Sequence, residues 1–228
     1  MALVQSVATD SGGSGGTLTI GSGQGLVSPT VGNIVVVMAM GVGGVTSPTC
    51  SDNAAGGSNT YILQQSDQSG VNVSPCCMFT AIITKSGATT ISLTGCVKTT
   101  MFVMEESGVS AVDLSNIAAN QGNTSTPTTS VSTSQSSVIS YSMACYGNGT
   151  LTYTQNSGTA LPTGNGITTG QRNNTTAGAS MFVQRQAATG PGTVNGTVTG
   201  SVAVTGSDSI IVTLTPTAAP TATIAWVS

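Results

Sequence analysis

The sequence predicts an all-β protein folded as a two-sheet antiparallel sandwich. Val, Ile and Thr recur at alternate positions in short runs, which is the spacing of a strand with one buried face. Gly, Ser and Asn separate these runs, as they do in the turns between strands. No stretch sustains the apolar spacing of an amphipathic helix. We therefore expect residues 1–228 to form a single β-sandwich domain, because such domains reach this length on their own.

Each predicted strand is an alternating or apolar run that ends at a turn-forming residue. The longest apolar run, Ile34–Val42, is expected to be a buried strand. Val112–Asn120 has a weak helical pattern and is expected to be a short helix or a loop. Long polar loops are expected near residues 107–136 and 156–177. In chain order, the candidate strands are Ala2–Ala8, Thr17–Ile20, Asn33–Met40, Thr60–Gln64, Cys77–Lys85, Thr89–Val97, Thr100–Glu106, Ser137–Tyr146, Thr150–Thr154, Ala179–Ala187, Val194–Val204, Ser209–Thr215 and Thr221–Val227.

The segment Cys77–Val97 gives the most detailed strand prediction. Ser86 and Gly87 form a two-residue turn signal between two alternating segments, which favours a β-hairpin. In this register Cys77 faces Cys96 on the neighbouring strand. Because alternate residues share a face, the residues expected on the core-facing side are Met78, Ile82, Ile91 and Leu93.

The five cysteines do not predict a metal site or a complete disulfide framework. Their number is odd, none has the C-x-x-C spacing, and the chain has no His to complete a zinc site. Buried free thiols are the expected state. Cys77 and Cys96 are the candidate cross-strand thiol pair, and they are the pair expected to form a disulfide if any does. The other three cysteines are Cys50, Cys76 and Cys145.

The charged residues exclude most enzyme classes. Only 5% of residues are charged, against about 25% in ordinary domains, and without His no Ser-His-Asp triad is possible. The adjacent Glu105 and Glu106 should point to opposite faces of a strand, so they cannot flank one bond, and one of them should be solvated. Asp52 and Asp67 could offer oxygen ligands to calcium, but a turn-capping role is favoured. We expect no catalytic site, no metal and no cofactor.

The same composition predicts partners that are themselves proteins. Four dispersed cations cannot form the basic stripe that nucleic acid requires, and the longest apolar run is too short for a membrane-spanning helix. A surface with so little charge associates readily with its own copies. We expect a homo-oligomer, a trimer, whose contacts involve an exposed or edge strand at Val194–Val204 and the polar loop Asn120–Ser137.

Four short segments follow one another along the chain: Pro29–Val37, Ser51–Tyr61, Ser107–Val109 and Ile224–Trp226. Their order resembles the jelly-roll modules of phage virion and bacterial surface proteins. An insertion at Ala54–Ser58 departs from the pattern. In such modules these segments are structural, so the resemblance implies a jelly-roll sandwich and carries over no catalytic residue.

The resemblance implies a virion structural protein. The first residues lack the pattern of a secretory signal peptide, so synthesis and assembly in the host cytoplasm are expected. A capsid decoration, or cement, protein that docks on the major capsid protein and stabilises the head is the expected function. The alternative is a tail-fibre or surface module that binds a receptor or carbohydrate. An exposed Tyr or Trp beside Asn and Asp in one loop cluster would favour that alternative.

Overall fold

The described part of the chain contains seventeen β-strands and one short 3₁₀ helix, Ser22–Gln24. The predicted all-β class is therefore confirmed. Within the described part, no helix is long and apolar enough to cross a membrane. In the computed structural model, the described residues are 1–10, 17–41, 45–67, 75–96, 99–118, 124, 126–146, 153–155, 159–160, 171–174, 179–201 and 206–217.

The first eight strands form two antiparallel sheets. In the first inner sheet the strands lie in the order β1-β8-β3-β6-β5, and in the first outer sheet in the order β2-β7-β4. Their bounds are β1 (Ala2–Asp10), β2 (Thr17–Gly21), β3 (Ile34–Gly41), β4 (Val45–Asp52), β5 (Ile62–Ser66), β6 (Cys76–Ile82), β7 (Thr90–Cys96) and β8 (Thr99–Ser107).

The remaining nine strands form two further sheets. The second inner sheet has the order β9-β17-β11-β15-β13, with β14 also paired to β15, and the second outer sheet has the order β10-β16-β12. Their bounds are β9 (Val109–Ala118), β10 (Thr128–Thr133), β11 (Ser137–Tyr146), β12 (Tyr153–Gln155), β13 (Thr159–Ala160), β14 (Gln171–Asn174), β15 (Ala179–Thr189), β16 (Gly192–Gly200) and β17 (Ser207–Pro216).

The four sheets are stacked in layers, with the two inner sheets in the middle. The largest core lies between the inner sheets and contains Met38 from the first and Met143 from the second. A second core, with Val37 and Leu93, fills the space between the first inner and first outer sheets. A smaller core around Ile211 joins the second inner and second outer sheets. Each inner sheet is therefore covered on both faces.

Strand β3 shows how the layered arrangement accounts for its sequence. All eight residues from Ile34 to Gly41 are buried. Val36 faces the second inner sheet, whereas Val35 faces the first outer sheet. A strand that is covered on both faces needs apolar residues at every position rather than at alternate ones. The predicted buried strand is confirmed.

The two halves of the chain have the same strand order. The order β9-β17-β11-β15 in the second inner sheet repeats the order β1-β8-β3-β6 in the first. The order β10-β16-β12 likewise repeats β2-β7-β4. The short strands β13 and β14 together take the place of β5, because both pair with β15 as β5 pairs with β6.

The pairing of strands aligns the two halves residue by residue. Adding 105 to a residue number in β3 or β6 gives the corresponding residue in β11 or β15. Ile34 pairs with Ile82, and their counterparts Ile139 and Ala187 pair in the same way. The same spacing relates β4 to β12 and β7 to β16. The chain therefore contains two copies of one β-sandwich topology. Identical residues at corresponding positions include Ile34 and Ile139, Met38 and Met143, Ala39 and Ala144, Thr49 and Thr154, and Gly95 and Gly200.

A local irregularity is repeated as well. The pairing of β1 with β8 shifts register between Leu3 and Gln5. The pairing of β9 with β17 shifts register in the same way between Val112 and Leu114. Each shift leaves one extra residue in the first strand of its half, which is the geometry of a β-bulge. Because the bulges occupy corresponding places, the correspondence extends to details of the backbone.

The predicted hairpin between β6 and β7 is wrong. Strand β6 pairs with β3 and β5, whereas β7 pairs with β2 and β4 in another sheet. The connection through Gly87, which has a φ of 81°, carries the chain from the inner to the outer sheet. Met78 consequently lies in a different core from Ile91, and Ile82 is 47% exposed. Alternation showed that both segments are strands, but not which strands they pair with.

The expected loop near residues 107–136 contains two strands, β9 and β10. Val112–Asn120, expected as a short helix or loop, belongs to strand β9 as far as Ala118. This strand lies at the sheet edge. Val112 and Ile117 pack against the core between the inner sheets, whereas Ala111, Leu114 and Asn116 are exposed. Its apolar pattern is therefore weak.

Two other predictions concern the second half. The expected loop at 156–177 includes β13 and β14, and its remaining residues lie outside the described part of the chain. Val194–Val204, expected as an exposed or edge strand, contains part of β16, the central strand of the second outer sheet, and Val194 is buried. Residues 202–205 and the candidate strand Thr221–Val227 lie outside the described part.

The sandwich arrangement is confirmed, but the described residues form four sheets where two were predicted. The difference follows from the duplication, since each half supplies one inner and one outer sheet. The jelly-roll topology is not confirmed. In a double Greek-key jelly roll the fifth strand pairs with the fourth. Here β5 pairs with β6 instead, and in the second half β13 and β14 pair with β15.

Candidate functional site

An ion pair between the fully buried Glu106 and the half-buried Arg185 joins the two halves of the protein. Arg185 on β15 donates from Nε and Nη2 to the two carboxylate oxygens of Glu106 on β8, at 2.8 and 2.7 Å. The Tyr141 hydroxyl donates to the same carboxylate at 2.6 Å. The hydrogen bond to Glu106 raises the pKa of Arg185, and burial followed by the Glu106 charge raises the pKa of Tyr141. The bidentate contact is directional, so it favours one alignment of the halves.

The neighbouring carboxylate, Glu105, points to the opposite face of β8, as predicted. It accepts hydrogen bonds from the side chains of Gln5 and Asn33 at 2.6 Å each, and from the backbone N–H of Thr30 at 2.8 Å. The expectation that Glu105 or Glu106 is solvated is wrong, since they are 1% and 0% exposed. Both carboxylates are held by internal hydrogen bonds.

Asp52 organises the loop between β4 and β5. Its Oδ1 accepts the backbone N–H groups of Ala54 and Asn59, and its Oδ2 accepts from the Asn59 side chain and the Tyr61 hydroxyl. Burial alone would raise the pKa of Asp52, but these hydrogen bonds outweigh burial and hold it below 3.8. For Asp52 the predicted turn-capping role is confirmed. For Asp67, which is buried, it stays a prediction. Among the described residues, no group of three or more His, Cys, Asp or Glu could hold a metal ion.

Charge is almost absent from the exterior. Among the side chains whose exposure is described, every Asp, Glu, Lys and Arg is buried or half-buried. Asp113 accepts a hydrogen bond from the Thr133 hydroxyl at 2.6 Å, and Lys85 donates to the Ser58 carbonyl at 3.0 Å. The charged groups whose exposure is described are therefore held within the fold, and the described exterior is formed by neutral groups.

Hydroxyl groups cover the outward faces of the two outer sheets. On the first outer sheet, Thr19 and Ser92 are hydrogen-bonded across strands at 2.8 Å. On the second, the corresponding residues Thr128 and Thr197 are hydrogen-bonded at 3.3 Å. The two ends of the four-layer stack therefore present neutral surfaces of similar chemistry.

An apolar groove opens where the edge of the first inner sheet meets β9 of the second half. Its volume is about 290 Å³. Ile62 and Ile82 at its rim are 58% and 47% exposed. The two polar side chains of the lining, Gln64 and Thr80, hydrogen-bond to each other at 2.7 Å. The groove therefore offers chiefly apolar contacts. Its lining residues are Ile34, Ile62, Gln64, Thr80, Ile82, Ala111 and Val112.

The predicted thiol pair, Cys77 and Cys96, does meet in the structure. The two Sγ atoms are 3.8 Å apart in the core between the first inner and first outer sheets. They meet across two facing sheets rather than across the predicted hairpin. Both are free thiols. Their proximity was correctly predicted from an incorrect strand pairing.

The aromatic residues do not form an exposed platform within the described part of the structure. Tyr141 and Tyr146 are fully buried. Tyr61 lies beside Asp52 and Asn59 in one loop cluster, but it is half-buried and packs against the second core. The candidate aromatic Trp226 lies outside the described part.

Comparison with known proteins adds no relative from which a function could be transferred. No family model, curated protein or solved structure matches the chain.

Proposed function

We propose that the protein is a non-enzymatic structural subunit of a phage virion, a capsid decoration protein that binds the assembled head. The observation that carries the proposal is the nearly uncharged exterior. Every Asp, Glu, Lys and Arg whose side-chain exposure is described is at least half-buried. Such a surface repels copies and neutral partners weakly, which suits a subunit that is packed at high local density.

The layered fold supports a structural role. Three cores connect four sheets, and internal hydrogen bonds hold the buried Glu105 and Glu106 in place. Both glutamates thus take part in holding the fold together. A rigid scaffold with neutral faces can stabilise a shell by bridging neighbouring subunits without changing shape.

The apolar groove is the docking surface in this proposal. Its occupant is an uncharged apolar segment of the major capsid protein. Gln64 donates to Thr80, and the rest of the lining is apolar and uncharged, so a charged segment would lose hydration there without gaining a charged partner. The exposed Ile62 and Ile82 gain from burial against apolar side chains.

A receptor- or carbohydrate-binding module receives less support. Stacking on a sugar requires an exposed aromatic face, and Tyr61 is half-buried with its hydroxyl bonded to Asp52. Glycan-array binding that is lost in a Tyr61→Ala variant, with folding retained, would favour that alternative over the proposed function.

Copy number in purified particles is the primary test. Quantitative mass spectrometry should find the protein at hundreds of copies per particle if it decorates the head. A handful of copies would indicate a tail or fibre component, and its absence from particles would refute the virion proposal.

A binding assay tests the docking surface. Particles that lack the protein should bind wild type but not the Ile82→Ser or Ile62→Ser variants. The matched control is Val27→Ser, since Val27 is 69% exposed and does not line the groove. Equal binding of all the variants would refute docking through the groove, whatever the copy number.

A further inference from the structure

Two adjacent cysteines on β6 point into different cores. Cys76 belongs to the core between the two inner sheets, whereas Cys77 belongs to the core between the first inner and first outer sheets. Both side chains are fully buried. Adjacent strand residues point to opposite faces, so β6 presents one thiol to each neighbouring sheet.

Each of these thiols meets another thiol across its core. The Cys77 Sγ is 3.8 Å from the Cys96 Sγ at the end of β7. On the other face, Cys76 and Cys145 are both fully buried in the core between the two inner sheets, and Cys145 on β11 belongs to the second half. Four of the five cysteines thus form two pairs, although they come from three segments of the chain.

We propose that both pairs are disulfide-forming sites and that oxidation links three of the four sheets. A Cys77–Cys96 bond would join the first inner sheet to the first outer sheet. A Cys76–Cys145 bond would join the two halves of the chain through their inner sheets. This inference concerns the folded chain itself and does not depend on the proposed virion function.

The oxidant is a small-molecule disulfide such as oxidised glutathione. In each pair, one thiol loses its proton, and its thiolate attacks the small-molecule disulfide. A mixed disulfide forms, and one small-molecule thiol is released. The second cysteine then displaces the other small-molecule thiol. Per bond, two protein thiols and one disulfide become one protein disulfide and two small-molecule thiols, so atoms and electrons balance.

The buried position of the thiols makes this reaction slow in the native state. Hydrogen bonding to Cys145 and burial raise the pKa of Cys76, and hydrogen bonding to Cys96 and burial raise the pKa of Cys77. Because the thiolate is the reactive form, the pairs oxidise when the sheets open transiently or while the chain folds. Once closed, the bonds are protected by the same burial.

The fifth cysteine provides an internal control. Cys50 lies on β4 opposite Leu93 and has no thiol partner of this kind among the described contacts. We expect it to remain unpaired when the other four have reacted. A bond between Cys50 and Cys96, or between the adjacent Cys76 and Cys77, would contradict the proposed pairing.

The first experiment uses the wild-type chain. Purified reduced protein is incubated with oxidised glutathione at mildly alkaline pH, free thiols are blocked with N-ethylmaleimide, and the intact mass is measured. The expected product has two disulfides and one blocked thiol. Mass spectrometry of non-reduced peptic peptides should find the peptides containing Cys96 and Cys145 joined to the peptide that contains Cys76 and Cys77. Five blocked thiols after prolonged oxidation, or stable glutathione adducts on these cysteines, would refute the proposal.

Single variants then assign the pairs. Cys77→Ala should retain only the Cys76–Cys145 bond, and Cys76→Ala should retain only the Cys77–Cys96 bond, whereas Cys50→Ala should retain both. Oxidised wild type should unfold at a temperature about 5 °C or more above the reduced protein, since each bond restricts the unfolded chain. Exchange of partners in the variants, or no change in unfolding temperature on oxidation of the wild type, would contradict the assignment.

Discussion

Gly196 lies against Ser142 so closely that a Cβ atom on the glycine would be 2.6 Å from the Ser142 Cβ. Gly196 is on β16 in the second outer sheet, and Ser142 is on β11 in the second inner sheet. The residue that corresponds to Gly196 in the first half is Ile91, which is fully buried. The two halves share a topology but fill the space between their sheets differently.

Replacing Gly196 with alanine should destabilise the protein. The added methyl group would push the second outer sheet away from Ser142, at an expected cost of about 1–3 kcal/mol in the free energy of unfolding. The measurement is urea denaturation at constant pH. Gly23→Ala is the control, because an added Cβ there meets nothing within 4 Å. If the Gly196→Ala variant is as stable as wild type, the second outer sheet can move away from Ser142 without a loss in the free energy of unfolding.

Removal of one partner from the central ion pair should be strongly destabilising. In Arg185→Met, Glu106 stays fully buried and loses its two charge-assisted hydrogen bonds. The expected cost is about 3–5 kcal/mol in the free energy of unfolding, again measured by urea denaturation. A cost below about 1 kcal/mol would place the ion pair among solvent-screened surface pairs.

The duplication suggests a compensating double substitution. The residues that correspond to Glu106 and Arg185 in the other half are Leu214 and Thr80. Glu106→Leu combined with Arg185→Thr should recover most of the stability that Arg185→Met loses, because the double variant leaves no unpaired buried charge. The comparison uses the same urea assay. A double variant as unstable as the single one would show that Tyr141 or the local packing requires the carboxylate.

The Asp52 loop should contribute a pH-dependent part of the stability. The pKa of Asp52 is lowered in the folded state, so its contribution is present above the unfolded value of 3.8 and is lost as the pH falls further. The stability difference between wild type and Asp52→Asn should therefore shrink between about pH 5 and pH 3. Urea midpoints of both proteins across this range provide the measurement. A constant difference would indicate that protonation of Asp52 is not coupled to folding.

Self-association should be insensitive to salt. The predicted homotrimer would be formed through neutral surfaces, since the described exterior has no exposed charged side chain. Light scattering after size-exclusion chromatography should give about three times the chain mass of 22.3 kDa at both low and high ionic strength. Dissociation on raising the salt from about 0.05 to 0.5 M would contradict a neutral interface. A monomer under all conditions would refute the trimer.

Much of the secondary structure could be predicted from short sequence segments, because strand formation depends on the types of neighbouring residues. Alternating or apolar runs marked β6, β8 and β11, and the continuous apolar run at β3 indicated a buried strand. Strand β9 was missed because it lies at a sheet edge, where Val109 is buried but Val112 is only half-buried. Strand β10 was missed because its Thr and Ser residues resemble a loop sequence.

The candidate contacts depended more on tertiary structure. Glu106 and Arg185 are 79 residues apart, and no local pattern signals their pairing. Cys77 and Cys96 were paired correctly through a hairpin that does not form. The same alternation is compatible with a hairpin or with two strands in facing sheets, since either arrangement buries one face of each strand.

By itself, the sequence determined the all-β class, the absence of His chemistry and the scarcity of charge, because these follow from composition and short-range periodicity. Only the tertiary structure decided that the chain is a duplicated sandwich of four sheets. Few residues are identical between the halves, Ile34 and Ile139 among them, since many apolar or small side chains can fill one core position. Strand order is set by which faces must be buried together, and that is a property of the whole chain.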